Sequence, residues 1–191
     1  MRRPAMIATL LAAGLFSAGC TPTPAPDTAR LLPGSFGGFA DPDIIATEQA
    51  QYAFAYPART RNLPIEAARG AAGVDYMAGE FSTAPRWAFI SPIIQMQMLQ
   101  ARAELRQTLG VPPNAPSQAV VDGLLNYADA RVVGDPTAAT DTLNPVIFTY
   151  GPARTEALLA NMPYMPTVNI ATTNANADLA PANGGGNTFD R

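Results

Sequence analysis

The residue inventory restricts the chemistry before any fold is considered. The chain has one cysteine, Cys20, and no histidine, and all 12 of its basic side chains are arginine. Without histidine or a second thiol the usual zinc ligand sets cannot be assembled. Ser-His-Asp and Cys-His catalysis are excluded with them. Schiff-base formation, lysine-dependent phosphate binding and histidine ligation of haem also need side chains that are absent. Carboxylates, tyrosines and arginines remain as reactive groups.

Glu80, in Gly79-Glu80-Phe81-Ser82, falls near the end of an expected helix. Apolar surroundings there would raise its pKa and make it a general acid for glycoside cleavage. The segment resembles loosely the Glu-Ser pair of lytic transglycosylases, although Phe81 separates the two residues. A solvated helix-terminal carboxylate is the expected role. Asp41, Asp43 and Glu48 lie close together but lack the alternating ligand loop and glycine of an EF-hand. Acidic residues in a first helical turn are accounted for by the helix dipole.

Arg102 and Arg106 are four apart on one expected helix and could together hold a phosphate or a partner carboxylate. A solvated polar face is the simpler reading. Met162, Tyr164 and Met165, in Met162-Pro163-Tyr164-Met165-Pro166, follow the last expected helix. They are candidate contacts for a partner or an apolar ligand, although methionine most often fills cores.

Cys20 stands in a more specific setting. Arg2 and Arg3 precede an apolar stretch from Ala5 to Phe16, and the small residues Ser17, Ala18 and Gly19 lead directly to the cysteine. This is an export-signal pattern, too short for a permanent span, which needs roughly 20 apolar residues. Ser17-Ala18-Gly19-Cys20 resembles the lipobox of bacterial lipoproteins, with Ser17 where leucine is most frequent. The resemblance covers the first twenty residues. It implies cleavage before Cys20, a covalent lipid on that residue as the sole prosthetic group, and a membrane as the first partner. In a proteobacterium, Thr21 in place of aspartate implies an outer-membrane address facing the periplasm. A plain export signal would leave an unpaired thiol in an oxidising compartment.

The chain from Cys20 onward keeps ten basic and fifteen acidic residues. Nucleic acid binding requires a basic patch or stripe, and none is visible, so no nucleic acid partner is expected. Residues 20–40, rich in proline and glycine, read as a tether that would reach up to roughly 60 Å if extended. Residues 167–191, dominated by Asn, Ala, Thr and Gly, read as a disordered tail.

The candidate groups must therefore be positioned by residues 41–166, expected to form one all-α domain of about five helices packed as a compact bundle. Asp41-Pro42, Ser91-Pro92, Asp135-Pro136 and Asn144-Pro145 each place an N-cap residue before a proline suited to the first helical position. Helices are expected over 42–56, 64–81, 92–109, 117–131 and 152–162. Ile94, Met98, Ala101, Leu105 and Leu109 share a face of the third, and Gly110 before Pro112 ends it. Ala67, Gly70, Val74, Met77 and Phe81 mark the second, whose small residues permit a close crossing. Ile45, Tyr52 and Tyr56 mark the first, and Val121, Leu124, Leu125 and Ala128 the fourth. Residues 146–150 suit a strand by composition, but have no partner run and are expected as a helical turn on the core. The function that follows is a membrane-anchored envelope lipoprotein acting as a non-catalytic accessory or protein-interaction module, with an envelope protein as the expected partner. The alternatives are a helical carrier of an apolar ligand and a carboxylate-dependent cell-wall hydrolase.

Overall fold

A computed structural model describes residues 26–37 and 40–183. Among these residues it contains seven helices and no strand: α1 (Pro42–Ala55), α2 (Pro64–Thr83), α3 (Pro92–Leu109), α4 (Ser117–Val132), α5 (Pro136–Thr142), α6 (Pro152–Ala160) and α7 (Pro166–Asn183). The all-α class is as expected, while the helices outnumber the five anticipated. Short 3₁₀ turns at Pro57–Arg59 and Pro85–Trp87 precede α2 and α3.

Proline does begin most of the helices. Asp41, Ser91 and Asp135 cap α1, α3 and α5 by accepting hydrogen bonds from the amides of Asp43, Ile93 and Ala138. Each pairs an orphan N–H with a side-chain oxygen, while proline occupies a position that needs no donor. Asn144-Pro145 behaves differently. Asn144 accepts from Val146 with its side chain and from Ile147 and Phe148 with its carbonyl, but the turn stops there. That turn delivers Phe148 into the core, where it is fully buried. Gly110 ends α3 in the left-handed conformation, at φ 70°.

Helix α2 is the centre of the molecule, packing against α1, α3, α4 and α6. Its residues are buried almost all round, as a helix apolar on every side must be. The close crossing with α1 depends on glycine. A Cβ at Gly70 would lie 2.4 Å from the Ala53 Cβ, and one at Gly73 would lie 2.5 Å from the Ala46 carbonyl oxygen. This crossing also corrects the face assigned to α1. Its inner face is Asp43, Ala46, Thr47, Ala50, Ala53 and Phe54, whereas Tyr52 and Tyr56 are exposed. Small side chains dominate the inner face because α2 approaches closely, and Phe54 fits there against Gly70, while Tyr52 lies under the Arg59 guanidinium, 4.0 Å away.

Two segments expected to be unstructured are packed. Residues 167–183 continue from Pro166 as α7, which lies against α1 and α3. Val168, Ala171, Thr172, Ala175 and Leu179 are buried on one face, and the Asn169 amide donates to the carbonyls of Phe54 and Ala55. At the other end, residues 26–37 form a strap across the domain and not a free tether. Ala29 and Phe36 are buried in the core, and Arg30 and Gln118 exchange hydrogen bonds between main chain and side chain. Ser17, Ala18, Gly19 and Cys20 lie outside the described residues, as do 184–191 of the expected tail.

Candidate functional site

The strap, α2, α3 and α4 meet at Arg106. Its side chain is 5 % exposed, and each of its N–H groups has an acceptor. Nε and Nη2 form a bidentate pair with Asp75 of α2, at 2.6 and 2.8 Å. Nη1 donates to the carbonyls of Pro113 and Ala115, and Nη2 also donates to Ser117 Oγ at 2.9 Å. A planar guanidinium suits such a fork. Asp75 is fully buried, so the pair survives only because both charges are completely bonded. Arg106 therefore has no donor left for an external ligand.

Arg102, one turn earlier, is placed differently. It is half-buried, and its Nη1 donates to the Asp27 carbonyl of the strap at 2.8 Å and to Ser117 Oγ at 3.3 Å. Both acceptors are neutral. Among the described residues no carboxylate lies in salt-bridge range of it. Burial lowers its pKa; the charge of Asp75 opposes that, and the neighbouring Arg106 adds to it. Arginine stays protonated regardless, so Arg102 carries positive charge, with the Asp75 and Asp27 charges close enough to act on it. Ser117 joins the two arginines to the strap, because its amide donates to the Asp27 carboxylate and its hydroxyl to the Asp27 carbonyl.

Arg102 opens onto a surface cleft of about 670 Å³ between α3 and the 110–113 and 149–150 turns. Leu99, Ala103, Val111, Pro112, Pro113 and Tyr150 supply apolar walls, and no carboxylate lines it. Tyr150 packs over Gly110, where a Cβ would come within 2.6 Å of the ring. A second cleft, about 500 Å³, lies between the strap and α4, lined by Arg30, Leu32, Gln118, Asp122 and Asp129. Its mixed charges and polar rim give it no comparable character.

The acidic candidates resolve into a structural cluster. Asp43 is buried at the start of α1, accepting from Tyr76 Oη at 2.7 Å and Trp87 Nε1 at 2.9 Å, with the Arg86 guanidinium 3.1 Å away. Its place in a first helical turn reflects these inward bonds as well as the helix dipole. Arg86 also pairs with Asp41 and lies over the Trp87 ring at 4.3 Å. Burial pushes the Asp41 carboxyl up, but the Arg86 and Asp43 hydrogen bonds and the Arg86 charge outweigh it and hold the group low. Tyr76 is raised by burial, then by its bond to Asp43 and the charges of Asp43 and Glu80. Glu48 is exposed on α1. Among the described residues no group of three or more carboxylates or thiols is arranged to hold a metal ion.

Glu80 sits in the last turns of α2, half-buried, with its carboxyl raised by burial and by the Asp43 charge against the opposing charge of Arg86. It lines neither of the two large clefts. Met162 and Met165 are core residues, 6 % and 4 % exposed, while Tyr164 between them is exposed. The crevice beside Tyr164 and Met165 has about 10 Å³ of free volume, too little for a ligand. Of the candidates drawn from sequence, Arg102 and Arg106 both line the cleft of about 670 Å³, Arg106 with its donors already taken up within the fold. Asp75, Ser117, Asp27 and Tyr150 were not anticipated, because their partners lie 11 to 90 residues away in the chain.

The fold and site thus define an all-helical domain closed by an N-terminal strap, with a buried arginine at the closure. No family model, curated protein or solved structure matches the chain.

Proposed function

We propose that this chain is a bacterial envelope lipoprotein, lipidated on Cys20, whose helical domain is a non-catalytic accessory or protein-interaction module. The observation that carries the anchoring is the cysteine itself: the only thiol in the chain, directly after an apolar segment and the small residues Ser17, Ala18 and Gly19. The packed strap supports it. The strap's described residues begin at Pro26, six residues after Cys20, so lipid on Cys20 would hold the domain close to a membrane surface. Two or more acyl chains anchor stably, and one does so only marginally. In a proteobacterial host, Thr21 after the cysteine supports an outer-membrane position facing the periplasm.

The interior supports a binding surface over a carrier. Tyr127, Phe81, Phe148 and Met77 fill the centre, and both large clefts are open at the surface. The chemistry of the carboxylates supports a non-catalytic role, since Asp43 and Asp75 are committed to internal bonds and Glu80 faces neither cleft. Mass analysis of the exported chain is expected to find it beginning at an acylated Cys20. Cys20→Ala is expected to release it from membranes in fractionation. An exported mature chain with unmodified Cys20 would refute the anchoring, and in-cell crosslinking that yields no reproducible envelope partner would refute the interaction module.

A further inference from the structure

Helix α3 presents an outer face that the fold leaves uncovered. Met96 and Ala103 are exposed on the side away from the core residues Met98, Leu105 and Leu109, together with Gln100 and Gln107, while Leu99 on the flank is partly buried against the core. Met96 is 52 % exposed, and Leu99 and Ala103 open into the carboxylate-free cleft that Tyr150 closes at its far end. None of these outward residues, Met96, Gln100, Ala103 and Gln107, is acidic, in a chain that carries fifteen acidic side chains.

The strap places this face relative to Cys20. Its Asp27 carbonyl is bonded to Arg102, which lines the same cleft. Seven residue steps separate Cys20 from Asp27, a reach of at most about 25 Å. A domain of this size is about 40 Å across. A lipid on Cys20 therefore cannot bring the far side of the domain to the bilayer, whereas the α3 face begins one arginine side chain from Asp27. Met96 is six residues from Arg102 along the helix, about 9 Å at the α-helical rise.

Resting on the anchoring proposed above, we infer that the outer face of α3, from Met96 through the Arg102 cleft to Tyr150, lies on the lipid surface when Cys20 is anchored. The apolar side chains meet the boundary between headgroups and acyl chains, and Arg102 faces the phosphate layer. The acyl anchor supplies the affinity, and this face sets the orientation of the domain.

The test uses the chain from residue 20 onward, coupled through its Cys20 thiol to a maleimide phospholipid in vesicles of phosphatidylethanolamine and phosphatidylglycerol. A small fraction of lipid carries a photoreactive diazirine near the glycerol end of its acyl chain. After irradiation, adducts are expected to concentrate on residues 92–113 and 149–150, several-fold above those on α5 and α6. Met96→Glu with Leu99→Glu is expected to cut the yield on α3 several-fold with an unchanged helical circular dichroism spectrum. Adducts spread evenly, concentrated elsewhere or absent would overturn the inference, and leave the α3 face to a protein partner. Chemical coupling fixes the anchor in every arm, so failure here is distinct from failure of lipidation in cells.

Discussion

At the scale of single residues, spacing suggested ligand-facing arginines on α3, and the fold separates the two. Both line the same cleft, but Arg106 is bonded inward to Asp75, and only Arg102 is without a carboxylate partner among the described residues. Removing one partner of a buried pair leaves the other charge uncompensated. Asp75→Ala is expected to cost about 3–5 kcal/mol in denaturant unfolding. Replacing both residues, Asp75→Leu with Arg106→Met, is expected to recover most of that loss, because no charge then remains to be buried. If Asp75→Ala unfolds like the parent chain, the network is not holding the helices together. Glu80 carries a prediction of opposite sign. A carboxyl raised by folding is destabilising when ionised, and the penalty disappears as pH falls through its folded pKa. Glu80→Gln is therefore expected to raise Tm at neutral pH and to lose that advantage in acid, by less than about 1 kcal/mol because solvent screens a half-exposed group. Asp41, held low, contributes stability that is present above the ordinary carboxylate range and lost as pH falls through its folded value.

At the scale of elements, most helix starts were legible because proline and its N-cap neighbour act locally. Helix α7 was not. Its sequence of Asn, Thr and Ala has the composition of a disordered tail, and its hydrophobic stripe is built of small residues with only Val168 and Leu179 to mark it. Tertiary contact with α1 and α3 stabilises a helix that its composition would not. Ending the chain after Met165 is therefore expected to expose the faces of α1 and α3 that α7 covers and to broaden or abolish cooperative thermal unfolding. A truncation after Met165 that melts like the full chain would show that α7 adds nothing to the core.

At the scale of the whole molecule, the strap changes what the N-terminal region does. A free tether over 20–40 would let the domain range tens of ångströms from a membrane, whereas residues 26–37 are packed on the domain. Phe36 is the strap's main apolar contribution, 2 % exposed, with its carbonyl accepting from Gln49. Phe36→Ala is expected to cost about 3 kcal/mol. The Arg30 amide, bonded to Gln118 Oε1 at 2.7 Å, is expected to be protected in hydrogen exchange, and the substitution is expected to speed its exchange. Arg30 exchanging at the rate of an unstructured peptide in the parent chain would show that the strap is not closed.

The sequence by itself determined the all-α class, most helix starts, and the exclusion of histidine- and lysine-dependent chemistry. These follow from local rules: a proline at a first helical position, a 3.6-residue stripe, or a side chain that is absent. It also marked Cys20 as the one residue with a specific expected modification. Only the tertiary structure decided which arginine is buried, that Asp43 is a core acceptor, that α1 turns its alanines inward, and that both flanking segments pack. Those outcomes depend on partners distant in the chain. Asp75 meets Arg106 across 31 residues and Asp27 meets Ser117 across 90. The energy of burying each group depends on a partner that only the folded chain brings within hydrogen-bonding distance.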